Sequence, residues 1–153
     1  MSQLEVKVPP PLIWLGSALV MWAVARFTPA FTHPLAARGV VGVAFVVLGA
    51  ALAVSGVRAF HRAGTTTNPT APGTASVVVS TGPFRVTRNP MYLGLLLSLV
   101  GWAFYLSNIL AVLMLPVFVG YMTRFQILPE ERALRQKFGE AYAQYAARVR
   151  RWL

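Results

Sequence analysis

Residues 90–131 read PMYLGLLLSLVGWAFYLSNILAVLMLPVFVGYMTRFQILPEE, and this stretch decides the fold. No Asp, Glu, Lys or Arg occurs from residue 90 to residue 123. Two apolar runs, about 90–106 and 109–128, meet at Ser107-Asn108. A membrane span needs about 20 residues, with a range near 17–25. Inside lipid each backbone polar group must be satisfied within its own segment, so both runs are expected as helices. Ser107-Asn108 is a short, uncharged turn, so the two helices form a hairpin. Pro116 is expected to kink the second of them. The stretch then ends on Pro129-Glu130-Glu131. The whole chain has 14 Lys and Arg but four carboxylates, and two of those four are adjacent here. Adjacent like charges repel. A pair at a membrane–water boundary therefore points to something cationic to be held, either a ligand or the chain's own arginines, with Arg124 and Arg135 as candidates.

Upstream lie two further apolar runs, about 11–27 and 40–60, which make four expected spans. The chain has 153 residues, of which 56% are hydrophobic and 12% charged. A soluble domain is about 25% charged, and one of this size has no interior large enough for so much apolar surface, so lipid is the expected solvent. Residues 1–153 read as a single membrane-embedded domain. The first run lacks a basic leader and a small-residue exit, so it reads as a retained span and not a cleaved signal. Gly42 and Gly49, with Gly94 and Gly101, leave small-residue notches for close helix packing. There are no cysteines, which removes disulfides and thiolate chemistry. His33 and His61 lack metal-ligand spacing, so no metal site is expected.

The net charge of +10 invites a nucleic-acid partner, but the arginines flank apolar runs, as membrane-surface charge does. Twelve of the 14 basic residues fall on one side of the four spans and two, Arg26 and Arg38, on the other. The positive-inside rule then puts both termini and the 61–84 connection in the cytoplasm, in an inner or cytoplasmic membrane. That connection is rich in Thr, Pro and Gly and too long for a simple turn; Val77-Val78-Val79 could be extended within it. After Pro129 a helix of about 130–150 is expected. Leu134, Phe138, Tyr142 and Tyr145 share one face, acids sit at its start, and Gly139 weakens it. It reads as an interfacial amphipathic helix. Asn89-Pro90 reads as the start of the third span, with Asn as the cap. The expected fold is thus all-α and polytopic: four transmembrane helices, a cytoplasmic cofactor loop and a C-terminal amphipathic helix.

These elements resemble a known family. Gly64-Thr65 with Asn68-Pro69, Gly82-Pro83-Phe84-Arg85, Arg88-Asn89-Pro90-Met91-Tyr92-Leu93-Gly94, Glu130-Glu131 and Phe138-Gly139-Glu140-x-Tyr142-x-x-Tyr145 are similar, in order and spacing, to the integral-membrane isoprenylcysteine carboxyl and phospholipid methyltransferases. The resemblance covers roughly residues 55–152. It implies S-adenosylmethionine at the cytoplasmic face and a lipophilic acceptor arriving from the bilayer. The cofactor-binding residues it implies are Gly64, Ser76, Val77, Val78, Val79, Phe84, Asn89, Pro90, Met91, Tyr92, Glu130 and Glu131. Arg88 and Arg124 are the acceptor-side candidates. The chain departs from the pattern in three places. Asn89 stands where the isoprenylcysteine enzymes have histidine, Phe84 where they have tyrosine, and Gln126 where an arginine holds the acceptor's carboxylate.

The chemistry agrees with the residues. A sulfonium cation with an ammonium group is stabilised by carboxylates and aromatic faces. Methyl transfer needs no metal and depends on positioning in a dry pocket. Blander readings stand beside these. The paired glutamates can be a helix-end charge pair. Tyr92, Trp14, Trp22, Trp102 and Trp152 can form an interfacial belt. Tyr142 and Tyr145 can be packing, and Arg148, Arg150 and Arg151 lipid-facing charge. Two other functions also remain open: an NADPH-dependent membrane reductase of the sterol-reductase type, and a non-enzymatic membrane scaffold. No ionisable residue lies deep in a span, so an ion pathway is not suggested.

Overall fold

The computed structural model describes residues 8–32, 36–65 and 76–153. Lys7, His33 and Asn68-Pro69, used in the sequence reading, lie outside the described residues. Among the described residues the chain is all-helical, with two isolated bridges and no strand. Helix α1 spans Pro10–Phe27, α2 Arg38–Arg62 and α3 Pro90–Leu106. Then follow α4 (Ile109–Val112), α5 (Met114–Met122), a π-helical turn (Thr123–Ile127) and α6 (Leu128–Arg148). Three helical runs are long and apolar enough to cross a membrane: Pro10–Phe27, Arg38–Arg62 and Ile109–Arg148; Pro90–Leu106 is a shorter apolar helix. Their outer faces are apolar: Leu12, Leu15 and Leu19 on α1 and Val40, Val43, Val47 and Leu48 on α2 are exposed, the arrangement expected where lipid is the solvent.

Helices α2 and α3 meet through glycine. A Cβ on Gly42 would stand 2.9 Å from the Gly101 carbonyl oxygen, and one on Gly101 2.5 Å from that of Gly42. Gly49 and Gly94 oppose each other in the same way, and Gly56 faces Pro90 and Met91. Without hydrophobic drive between helices in lipid, such close backbone approach is what holds them. Helix α1 is tied to α3 by indoles: Trp14 Nε1 donates to Ser98 Oγ at 2.7 Å and Trp102 Nε1 to the Ala18 carbonyl at 3.1 Å. Trp152 Nε1 donates to Thr123 Oγ1 at 3.0 Å. Trp14 and Trp102 are thus interhelical contacts, and Trp152 ties the C-terminal segment to the π turn; Trp22 is half exposed.

The Ser107-Asn108 hairpin forms as expected. Ser107 takes φ 51°, and Asn108 Oδ1 accepts from the Leu110 and Ala111 amides at 3.0 and 3.2 Å. Its Nδ2 donates to the Thr28 carbonyl at 2.9 Å and to Thr32 Oγ1 at 3.1 Å. Asn108 is 1% exposed. Replacing it with Ala removes a cap and strands buried polar groups, so a loss of about 2–4 kcal/mol is expected. Thermal unfolding in detergent checks this, with Asn108→Asp, which keeps the cap acceptor, falling between.

The last span carries the kink expected of Pro116: Pro116 has no N–H for the Val112 carbonyl one turn back, the α-helix is interrupted at Leu113, and it widens into the π turn beyond Met122. Other expectations need correcting. Glu130 and Glu131 lie in the first turn of α6, but Ile127 is itself helical (φ −68°, ψ −48°), so no free helix start faces them. Gly139 does more than weaken α6: at φ 50°, ψ −122° it breaks the helix. Asn89 sits at the cap position of α3, yet its side chain accepts nothing from the helix; the cap bond is from the Leu93 amide to the Asn89 carbonyl, 2.9 Å.

Candidate functional site

The foot of α3, the first turn of α6 and the 310 turn Gly82–Arg85 enclose a cavity of about 90 Å³. Gly82 takes φ 60° to start that turn, which buries Phe84 edge-on to Phe60 with 5.2 Å between ring centroids. Past the Gly139 break, Tyr142 and Tyr145 turn inward, and the Tyr145 hydroxyl donates to the Phe84 carbonyl at 2.8 Å. Val77, Val78 and Val79 close one side and Met91, Ile127 and Leu134 another.

The paired glutamates are split. Adjacent helical residues point about 100° apart, and each carboxylate has found different company. Arg151 grips Glu131 with two bonds, Nε to Oε1 at 2.9 Å and Nη2 to Oε2 at 2.8 Å, and Arg88 Nη2 reaches Oε1 at 2.9 Å. Burial pushes the Glu131 carboxyl up, but the Arg151 hydrogen bonds and the charges of Arg88, Arg151 and Arg135 outweigh it and hold the carboxyl below its ordinary value. Of the chain's own arginines named as candidate partners, Arg135 bears on Glu131 through its charge; the hydrogen-bonded ion pairs are made by Arg88 and Arg151, so Arg151 is not simply lipid-facing charge. Glu130 accepts a short hydrogen bond from the Tyr92 hydroxyl. Burial raises its carboxyl to about 8; the Tyr92 hydrogen bond lowers it and the Glu131 charge raises it further. No cation stands among the groups that set this value.

Most residues singled out from the sequence come together here. Val77, Val78, Val79, Phe84, Arg88, Asn89, Met91, Tyr92, Glu130 and Glu131 all line the cavity. Four do not. Ser76 is turned toward the end of α2, its amide on Thr65 Oγ1 at 2.8 Å and its hydroxyl on the Gly64 carbonyl at 3.3 Å. Gly64 ends that helix at φ 63°. Pro90 is buried against Gly56. Arg124 lies over the Phe125 ring, 5.5 Å from its centroid. Gln126 is buried with Nε2 on the Val8 carbonyl at 2.5 Å. Sequence reasoning missed Phe60, Ile127 and Leu134 as walls, and it read Tyr142 and Tyr145 as packing. The inward turn of the tyrosines depends on the Gly139 break, which the heptad-like spacing hides.

The donor set suits an amino-acid cation. Glu130 offers a carboxylate, and Phe84, Tyr92 and Tyr142 offer aromatic groups to a positive centre. Arg88 Nε is buried without a hydrogen-bond partner among the described residues, a donor that suits a carboxylate. No group of His, Cys, Asp and Glu among the described residues could hold a metal ion.

Fold and site together define a multi-pass helical membrane protein with an acidic, aromatic-walled cavity at one end of its bundle. The model of the phospholipid methyltransferase family matches residues 37–141, and the chain belongs to that family. It is similar to an uncharacterized protein of Haemophilus influenzae, 48% identical over 63 residues, which are 41% of this chain and all of that protein. It is also similar to protein-S-isoprenylcysteine O-methyltransferase B of Arabidopsis thaliana, 35% identical over 72 residues, 47% of this chain and 36% of that one. The chain thus spans about a third of the Arabidopsis protein's length. No solved structure matches it.

Proposed function

We propose that the chain is an integral-membrane, S-adenosylmethionine-dependent methyltransferase acting on a lipophilic acceptor. Its four helical units cross the bilayer, and the cavity lies on the cytoplasmic side, where twelve of the 14 basic residues fall. The observation that carries this reading is the Glu130 carboxyl: buried, paired with Tyr92, and with no cation bonded to it among the described residues, beside a twin that has two. Family membership supports methyl transfer. A nicotinamide dinucleotide phosphate would ask for several cations where the cavity presents a carboxyl.

When bound, the cofactor supplies an electrophilic methyl group on a sulfonium sulfur. Glu130 would hold the ammonium group, and Arg88, whose Nε has no hydrogen-bond partner among the described residues, would hold the carboxylate. Phe84 and Tyr92 would offer aromatic surface to the positive charge. Met91, Ile127 and Leu134 keep the reacting centre dry, so catalysis is mainly positioning. Small-molecule sites measure about 300–1,000 Å³, so the walls must part to admit the whole cofactor. The apolar walls and the name of the Arabidopsis relative support a lipophilic acceptor. The Gln126 amide, already bonded to Val8, offers no cationic grip on an acceptor carboxylate.

The Glu130 carboxyl gives the reading a pH signature. Holding a cation requires the ionised form, and the empty site keeps its proton up to about pH 8. Affinity for S-adenosylmethionine should therefore tighten as pH rises toward 8, by up to about tenfold per unit, and stop tightening above it. Calorimetric titration of detergent-purified protein across that range checks this. A flat profile speaks against Glu130 as the ligand.

A further inference from the structure

Segment 149–153 does not line the cavity, yet it touches three residues that do. After α6 the chain becomes extended at Val149 (φ −117°, ψ 130°) and lies along the start of α3. The Arg150 carbonyl accepts from the Arg88 amide at 2.9 Å. The Arg151 carbonyl accepts from Asn89 Nδ2 at 2.9 Å and Thr87 Oγ1 at 3.2 Å. Thr87 and Arg150 form a parallel bridge, and the Trp152 indole anchors the far end on Thr123. This strap aims the Arg151 guanidinium at Glu131 and occupies both of its oxygens.

We propose that Arg151 is a positioning residue for the cofactor site: it ties up Glu131 and leaves Glu130 as the carboxylate that ionises against a bound cation. The inference rests on the proposed function. Its physical basis is the repulsion between adjacent charges. Glu130 faces the Tyr92 hydroxyl from α3, Glu131 from its own helix, Arg88 from the segment before α3, and Tyr142 and Tyr145 from beyond Gly139. Arg151 acts on it only through Glu131. With Arg151 gone, Glu131 keeps only the Arg88 hydrogen bond and the charges of Arg88 and Arg135, and its own charge bears harder on Glu130.

The test compares full-length Arg151→Ala and Arg151→Lys with Trp152→Ala, which loosens the strap without removing charge. The first readout is the infrared band of protonated Glu130 in unliganded protein, assigned by its loss in Glu130→Gln, followed as pH is raised. The second is S-adenosylmethionine affinity by calorimetry. In Arg151→Ala the band should persist about one pH unit higher, affinity near neutral pH should fall about tenfold, and alkaline pH should restore it. Arg151→Lys should recover most of both effects. Trp152→Ala, which keeps the Arg151 charge on a looser strap, should lower Tm and move the band's midpoint much less than Arg151→Ala does. An unmoved midpoint in Arg151→Ala, or an equal shift in Trp152→Ala, overturns the role of Arg151. A moved midpoint in a protein that binds no cofactor supports that role and sinks the methyl-transfer reading instead.

Discussion

Replacing Glu130 with glutamine is expected to weaken S-adenosylmethionine binding by about 100-fold or more while leaving the protein folded. Truncating one partner of a buried charge pair costs about 2–5 kcal/mol of affinity, and here the glutamate is the partner that the chain provides. The same substitution should stabilise the empty protein near neutral pH. The folded carboxyl ionises at about 8, against 4.5 as the ordinary value. Between those values the folded state keeps a proton that the unfolded chain has released. Stability therefore falls as pH rises through this window and levels off above it. Glutamine, which never ionises, should flatten that slope. Glu131→Gln should do the opposite. Its carboxyl is held below the ordinary value, so its contribution is present above about 4.5 and lost as pH falls. Removing it leaves Arg88 and Arg151 without a counter-charge, at a cost of about 3 kcal/mol in a buried setting. Thermal unfolding and cofactor titration of the two variants should separate them: Glu130→Gln loses affinity, and Glu131→Gln loses stability.

The second large effect belongs to the glycine seam. Gly94→Val should cost about 3 kcal/mol or more, at the upper end for overpacking. A Cβ at Gly94 would lie 2.5 Å from the Gly49 carbonyl oxygen, 3.0 Å from the Ala53 Cβ and 3.1 Å from the Ala53 amide. Two of these three atoms are backbone, so no rotamer change relieves the clash and the helices must separate. Separation would carry to the cavity, because Gly56 packs on Pro90 and Met91 and Phe60 lines the site on the same helix. Gly120→Ala is the control: no atom lies within 4 Å of its would-be Cβ, and a helical Gly→Ala change gains about 0.5–1 kcal/mol. Unfolding temperatures in detergent should fall steeply for the first and hold or rise for the second. An unchanged Tm in Gly94→Val would mean that α2 and α3 are not held at this distance.

Much of this was legible because membrane helices are written in simple terms. The uncharged run after Pro90 announced α3, Ser107-Asn108 announced the hairpin, and the glycine spacing announced the seam. The grouping of Phe84, Asn89, Met91, Tyr92 and the glutamates could be inferred because each sits at the same end of an apolar run. What was hidden depends on where the backbone bends. A π turn at Thr123–Ile127 widens the last span without a glycine or proline inside it to mark it. Gly139 reverses into a left-handed φ, and that turns Tyr142 and Tyr145 into walls. Arg151 became the partner of Glu131 only because the chain turns back after α6, which no periodicity records. Trp14 and Trp102 found acceptors on a neighbouring helix, and Trp152 one on the π turn, because a buried indole N–H needs one.

The most direct test is a count of protons released when S-adenosylmethionine binds. Titration near pH 7 in buffers of differing ionisation enthalpy gives that count. With the Glu130 carboxyl raised to about 8, most of a proton should leave per cofactor bound, and Glu130→Gln should lose both that release and most of the affinity. A folded sample that binds no S-adenosylmethionine, or binds it with no proton release and equally well in Glu130→Gln, would contradict the assignment of Glu130 as the cation's partner.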